Sequence, residues 1–134
     1  MFSIFSIYNH CRVRLFRMEK NLKQLQRTGD SEIIKIALFG PESTGKTTLA
    51  MQLADHFKTA WVPEFARDYL QEKWNNTAKI CDVNDMLPIA YGQMQLENEK
   101  LTIANDFLFC DTNLMVTKVF SEVYYNFCDP SLDK

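Results

Sequence analysis

The sequence predicts an α/β fold: a parallel sheet between layers of helices. Three observations carry that expectation. Ile33, Ile34, Ile36, Ala37, Leu38 and Phe39 form a nearly continuous apolar run, the pattern of a parallel strand buried on both faces. Gly40-Pro41-Glu42-Ser43-Thr44-Gly45-Lys46-Thr47 follows at once and satisfies G-x-x-x-x-G-K-[ST], the phosphate-binding P-loop. Leu49, Ala50, Leu53, Ala54 and Phe57 then recur at helical spacing, so a helix begins at about Lys46 or Thr47. Strand, glycine loop and helix in that order are the context the motif requires. Together they predict a three-layer P-loop NTPase sandwich.

The loop's composition states its chemistry. Gly40 and Gly45 admit backbone conformations that a Cβ resists. Pro41, Glu42, Ser43 and Thr44 fill the turn between them, and its amides can surround an anionic phosphate. The helix start at Lys46, Thr47 and Thr48 adds unpaired N–H groups and a positive dipole end. Lys46 is expected to reach the β- and γ-phosphates of a bound nucleotide, and the Thr47 hydroxyl to bind Mg²⁺.

Composition bounds the rest. The chain has 134 residues, enough for one domain of ordinary size. Its net charge is −2, and no basic stripe follows residue 30, so nucleic acid is not expected as a partner. Cys11, Cys81, Cys110 and Cys128 form no C-x-x-C pair, which fits reduced thiols in a cytoplasmic protein. No apolar run approaches the ~20 residues that span a bilayer, so no membrane is expected either.

Residues 1–32 read as an N-terminal extension to a domain at 33–134. The first 17 residues are aromatic and basic, with Arg12, Arg14 and Arg17 after the apolar part, the reverse of a signal peptide. An upstream start, with Met18 as the true beginning, is the favoured reading over a weak amphipathic targeting segment. Thr28-Gly29-Asp30-Ser31 reads as the turn into the first strand.

After the P-loop helix, Thr59 to Val62 reads as a second strand that stops at Pro63. Glu64 stands at its carboxyl end, where open α/β sheets bind their ligands. Phe65, Ala66, Tyr69 and Leu70 then have helical period, and Arg67 and Asp68 fall on the same helical side as Glu64. Position alone leaves Glu64 and Arg67 evenly divided between a ligand contact and a surface ion pair.

Residues 73–84 read as a loop. A longer helix is expected from about Asp85, with Leu87, Ala90, Tyr91, Met94, Leu101 and Ala104 as its buried stripe. Pro88 is tolerable in its first turn. Gly92, inside this helix, is expected to permit a close approach, with substrate as one candidate. Gln93 and Gln95 are weaker candidates for polar contacts, since most helical glutamines are simply solvated.

Phe107-Leu108-Phe109-Cys110-Asp111 is the third strand, expected beside the first. An apolar run ending in Asp is the Walker B pattern, whose acid meets Mg²⁺ directly or through water. The plainer role, capping the next helix, does not exclude this. Thr112 to Tyr125 reads as a helix with Leu114, Met115, Val119, Phe120, Val123 and Tyr124 on its apolar side, and Cys128 to Lys134 as a loop-like ending.

Taken together, Gly40 to Ala50, the Trp61-Val62-Pro63-Glu64-Phe65-Ala66-Arg67 segment, Tyr91-Gly92-Gln93 and Phe109-Cys110-Asp111-Thr112 resemble the NadR-type ribosylnicotinamide kinase domains, within the P-loop nucleoside-kinase-like ATPases. The resemblance runs from about Ile34 to Tyr125. It implies ATP-dependent phosphorylation of the 5′-hydroxyl of nicotinamide riboside. It also implies that Glu64, the acid after the second strand, contacts the acceptor ribose and can act as base. Such kinases typically have five strands, an arginine-bearing lid and a base-holding segment, so the chain is expected to be an incomplete domain with an exposed sheet edge. No adenylyltransferase domain is expected before Ile33.

The expectation is therefore a kinase for a nucleoside-like alcohol. Lys46 and the loop amides hold ATP, Thr47 and Asp111 organise Mg²⁺, Glu64 orients or deprotonates the acceptor, and Arg67 positions substrate or phosphate. Two other classes fit the P-loop: a nucleotide-gated switch or regulatory ATPase acting on a protein partner, and an inactive fragment. A GTPase is disfavoured because no N-K-x-D motif is present. Sequence alone leaves the acceptor and the oligomeric state open.

Overall fold

A computed structural model describes residues 33–132. The expectations for residues 1–32 lie outside that range. Three strands, β1 (Ile34–Leu38), β2 (Trp61–Val62) and β3 (Phe107–Asp111), form one parallel sheet in the order β1-β3-β2. Among the described residues, four α-helices accompany them: α1 (Lys46–Phe57), α2 (Phe65–Thr77), α3 (Met86–Leu101) and α4 (Leu114–Tyr125). The α/β architecture and the pairing of the third strand with the first are as the sequence predicts.

Strand alternation assigns the layers, because successive side chains point to opposite faces. Phe107 and Phe109 meet the ring of Phe57 on α1, with centroids 5.1 and 5.7 Å away. Leu108 and Cys110 point the other way and cluster with Val62, Leu101 and Ala104. The central strand is thus clothed on both faces. Burial holds the Cys110 thiol protonated, its pKa pushed up to about 12, and neighbouring Glu97 adds to the shift.

β1 departs from expectation. Its apolar run predicts burial on both faces, yet Ile34 is 55 % exposed and the rest of the strand is half-buried. Among the described residues, β1 pairs with β3 along one side only and lies at an end of the sheet. β2 is shorter than the expected Thr59–Val62. Its approach is nevertheless tied to β3, because the Thr59 hydroxyl donates to the Phe107 carbonyl at 2.5 Å.

Residues 73–84 are not simply a loop. α2 continues to Thr77 and closes on Ala78 in the left-handed region, at φ 52°. Long-range charge holds that last turn. The Lys73 ammonium donates to Asp82 at 2.8 Å and to Asp85 at 2.5 Å, and Tyr69 donates to Asp85 at 3.1 Å. Asp82 and Asp85 form a capping box around the short 3₁₀ turn Val83–Asp85 that leads into α3. Burial, with Asp85 beside it, pushes the Tyr69 phenol up to about 12, so it remains a donor. A second 3₁₀ turn, Pro130–Leu132, interrupts the expected loop at the end.

Candidate functional site

The P-loop takes the backbone shape its glycines allow. Gly40 has φ 152° and Gly45 φ 84°, and Gly45 is the N-cap of α1 with no side chain to occupy the helix end. The first amides of α1 therefore remain available to an anion. Ser43 also lies in the left-handed region, at φ 57°. The Thr44 hydroxyl braces the turn by donating to the Pro41 carbonyl at 2.8 Å. Lys46 folds back over the loop and donates to the carbonyls of Gly40 and Pro41, at 3.0 and 2.7 Å. Both acceptors are neutral, so an ammonium held there exchanges readily for a phosphate oxygen, a stronger charged partner.

Asp111 ends the central strand fully buried, and its Oδ2 accepts from the Thr47 hydroxyl. Its Oδ1 is also buried and has no hydrogen-bond partner among the described residues. A buried carboxylate oxygen without a donor is costly. Together with the adjoining hydroxyl, it is the donor set that a hard divalent cation accepts, the remaining ligands being phosphate oxygens and water. The residues present fit Mg²⁺. The helix-capping alternative for Asp111 does not hold: Asn113 caps α4, its side chain accepting from the Val116 amide at 3.2 Å.

Glu64 and Arg67 pair at 3.0 Å at the start of α2, and Arg67 also reaches the Thr47 hydroxyl at 3.4 Å. Glu64, Arg67, Thr47 and Asp111 therefore form one polar chain across the cleft. Asp68 is exposed and does not line it. The cleft has a volume of about 950 Å³, and its wall includes Gly40 through Thr48 together with Glu64 and Arg67. Its size lies within the range of small-ligand sites.

Two expected contacts have another role. Gln93 is 2 % exposed and turned away from the cleft. Its carbonyl accepts from the Phe65 amide at 2.9 Å and its amide donates to the Pro63 carbonyl at 3.4 Å. It clasps the β2–α2 junction and so fixes where Glu64 stands. Gly92 admits the ring of Phe65, not substrate: a Cβ there would lie 2.2 Å from two ring carbons. Gln95 bonds Glu99 at 3.0 Å along the outside of α3 and is solvated.

The sequence reading missed the far wall of the cleft. Thr112, Val116, Phe120 and Tyr124 complete it, with Ala66 and Leu70 opposite on α2. The missed signal was the spacing of 116, 120 and 124, one residue per helical turn directly after the carboxyl end of β3. The sequence marks Phe120 and Tyr124 only as apolar, and apolar periodicity does not distinguish a core face from a ligand-facing one.

A P-loop nucleotide-binding domain is the class that this fold and site define. More particularly, the chain belongs to the AAA domain family, whose model matches residues 35–134. It is similar to the trifunctional NAD biosynthesis/regulator protein NadR of Salmonella typhimurium and of Escherichia coli, with 33 % identity to each over 89 residues. The match covers 66 % of this chain and 22 % of those relatives, so the chain spans about a fifth of their length. Two solved NadR structures, one in complex with NAD and AMP-PNP and one with NR, superpose with a TM-score of 0.60 at 30 % identity. The superposition covers 69 % of this chain and 26 % of theirs. Among the described residues, no helix is long and apolar enough to cross a membrane.

Proposed function

We propose that the chain is the P-loop portion of a kinase that transfers the γ-phosphoryl group of ATP to the 5′-hydroxyl of nicotinamide riboside, giving the mononucleotide and ADP. The observation that carries this reading is the shared cleft, where the P-loop and the Glu64–Arg67 pair face the same space. Gripping a triphosphate needs no carboxylate across from the loop, whereas transfer to an alcohol does. The NadR relatives, and the NadR structure in complex with NR, support the choice of acceptor.

In this mechanism the P-loop amides and the N-terminus of α1 receive the phosphates. Lys46 leaves the Gly40 and Pro41 carbonyls and pairs with the β- and γ-oxygens. Thr47 and Asp111 would hold Mg²⁺, which when bound neutralises charge on those phosphates. Glu64 accepts a hydrogen bond from the acceptor 5′-hydroxyl and takes its proton as the new O–P bond forms and the bond to ADP breaks. Arg67 is released from Thr47 toward the transferring group and compensates the charge there. Most of the acceleration is positioning and preorganised charge. The free thiols Cys81 and Cys110 accord with a cytoplasmic reaction.

The test is a phosphotransfer assay with MgATP and nicotinamide riboside, the mononucleotide being separated by chromatography. Lys46→Ala is expected to lower turnover about a thousandfold, the scale of losing one preorganised donor to a transferring group. Product formation that survives Lys46→Ala would remove the assignment. Substituting GTP for ATP in the same assay reads the choice of base.

A further inference from the structure

We propose that Thr112 is a catalytic residue, its hydroxyl donating a hydrogen bond to the phosphoryl group in flight between nucleotide and acceptor. The proposal rests on the kinase reading for its reaction and on separate observations for its place.

Thr112 is held in a conformation that its side chain resists. Its φ is 69°, in the left-handed region, where a β-branched residue is an outlier. Among the described residues, Ser43, Lys58, Ala78 and Asn126 are the other non-glycine residues there. Lys58, Ala78 and Asn126 close helices, the ordinary use of that conformation, and Ser43 belongs to the P-loop. Thr112 closes no helix. It follows β3 directly, and a glycine would make the same turn without a Cβ to resist it. Contacts on both sides hold the turn in place. The Thr112 amide donates to the Leu38 carbonyl at 3.0 Å, and Asn113 caps α4. Backbone strain maintained by its surroundings is concentrated at functional sites.

The sheet puts this residue midway between donor and acceptor. The P-loop follows β1 on one side of β3, and Glu64 follows β2 on the other. The register pairs Leu38 with Asp111 and Val62 with Cys110. Counting on from those pairs, Phe39 and Glu64 both come level with Thr112. Adjacent strands lie about 4.8 Å apart, so Thr112 stands one strand spacing from the mouth of the P-loop and one from the acid on the acceptor side. It is half-buried and lines the same cleft as both. The Thr44 and Thr47 hydroxyls are engaged by Pro41 and Asp111. The Thr112 hydroxyl has no such partner among the described residues, which leaves it to a ligand.

A transferring phosphoryl group carries charge on three equatorial oxygens. A donor fixed in mid-path meets those oxygens chiefly during transfer. Its contribution therefore falls on turnover and not on the affinity of either substrate.

The test compares wild type with Thr112→Ser, Thr112→Val and Thr112→Gly on the full chain, measuring mononucleotide formation from MgATP and nicotinamide riboside, MgATP affinity and the urea midpoint. Thr112→Val keeps the branched shape and removes the hydroxyl. It is expected to lower kcat roughly thirtyfold, the scale of a lost hydrogen bond to a charged group, with the riboside KM and MgATP affinity within about twofold. Thr112→Ser should keep kcat within about threefold of wild type, since the donor remains. Thr112→Gly should lose turnover as the valine variant does, while its urea midpoint shifts upward because the strain is relieved.

Wild-type kcat in Thr112→Val or in Thr112→Gly overturns the proposal and leaves the kinase reading standing. A loss of MgATP or riboside affinity that matches the loss of turnover also overturns it, and makes Thr112 a ground-state contact. A lowered urea midpoint in Thr112→Gly overturns it by making the residue structural. If Thr112→Val does not fold, the serine and glycine variants decide by the same criteria. A wild-type chain that binds MgATP but phosphorylates no riboside overturns the kinase reading and the proposal with it.

Discussion

α3 and α4 make opposite use of apolar residues. α4 is rich in large apolar side chains, yet only Ser121 within it is buried, while Met115, Val119, Val123 and Tyr124 are exposed. α3 carries Gln93 and Glu97 on its inner side and buries both, with Met86, Ile89, Ala90 and Met94 around them. The difference shows that burial follows what stands opposite a helix. α3 has β2, β3 and α2 against it and acts as the brace of the site. α4 meets α3 along one side and turns another toward the cleft. Changes in α3 should therefore be felt as stability, and changes on the outer side of α4 hardly at all.

The largest break in that contrast should come from Gly92→Val. Its new side chain would collide with the Phe65 ring, and the expected loss is about 2–3 kcal/mol by overpacking, read by urea denaturation. Gln93→Leu keeps the volume but leaves the Phe65 amide without its acceptor, for a loss of about 1–2 kcal/mol. It should also lower phosphotransfer, because the junction that carries Glu64 loosens.

A smaller effect concerns pH. The hydrogen bond from Lys73 holds Asp82 below its ordinary 3.8, and Asp82 and Asp85 hold Lys73 above its ordinary 10.5. The lowered acid contributes stability above 3.8 and loses it as pH falls through its folded pKa. The raised base contributes below 10.5 and loses it as pH rises further. Melting profiles from pH 2 to 11 should show Lys73→Met reducing stability mainly between those limits. A uniform offset at every pH would contradict this. The smallest change is expected from Val123→Lys on the exposed side of α4, within about 0.5 kcal/mol of wild type.

The P-loop, β3 and the start of α1 were legible in the sequence because their causes are local. A glycine at positive φ, an apolar run of strand length and a helix-initiating Lys-Thr need no distant partner to be recognised. The burial of β1 was not legible, since an apolar strand reads the same at the centre of a sheet and at its edge. The last turn of α2 was missed because Lys73 finds its acids nine and twelve residues away, across a chain reversal. Gly92 and Gln93 were singled out, but their partner, the Phe65 region, is set by packing between two helices. The cleft wall on α4 was not legible, because an apolar helical spacing does not say what the apolar side faces.

In the proposed mechanism Glu64 acts on the acceptor alcohol while the P-loop holds the nucleotide. The most direct test measures mononucleotide formation and MgATP affinity on the same preparations of wild type and Glu64→Gln. Loss of the proton acceptor should lower turnover at least about a hundredfold, the scale of general base catalysis, with MgATP affinity within about twofold. An equal loss of turnover and of MgATP affinity would contradict the account and make Glu64 a support for Arg67 and the loop.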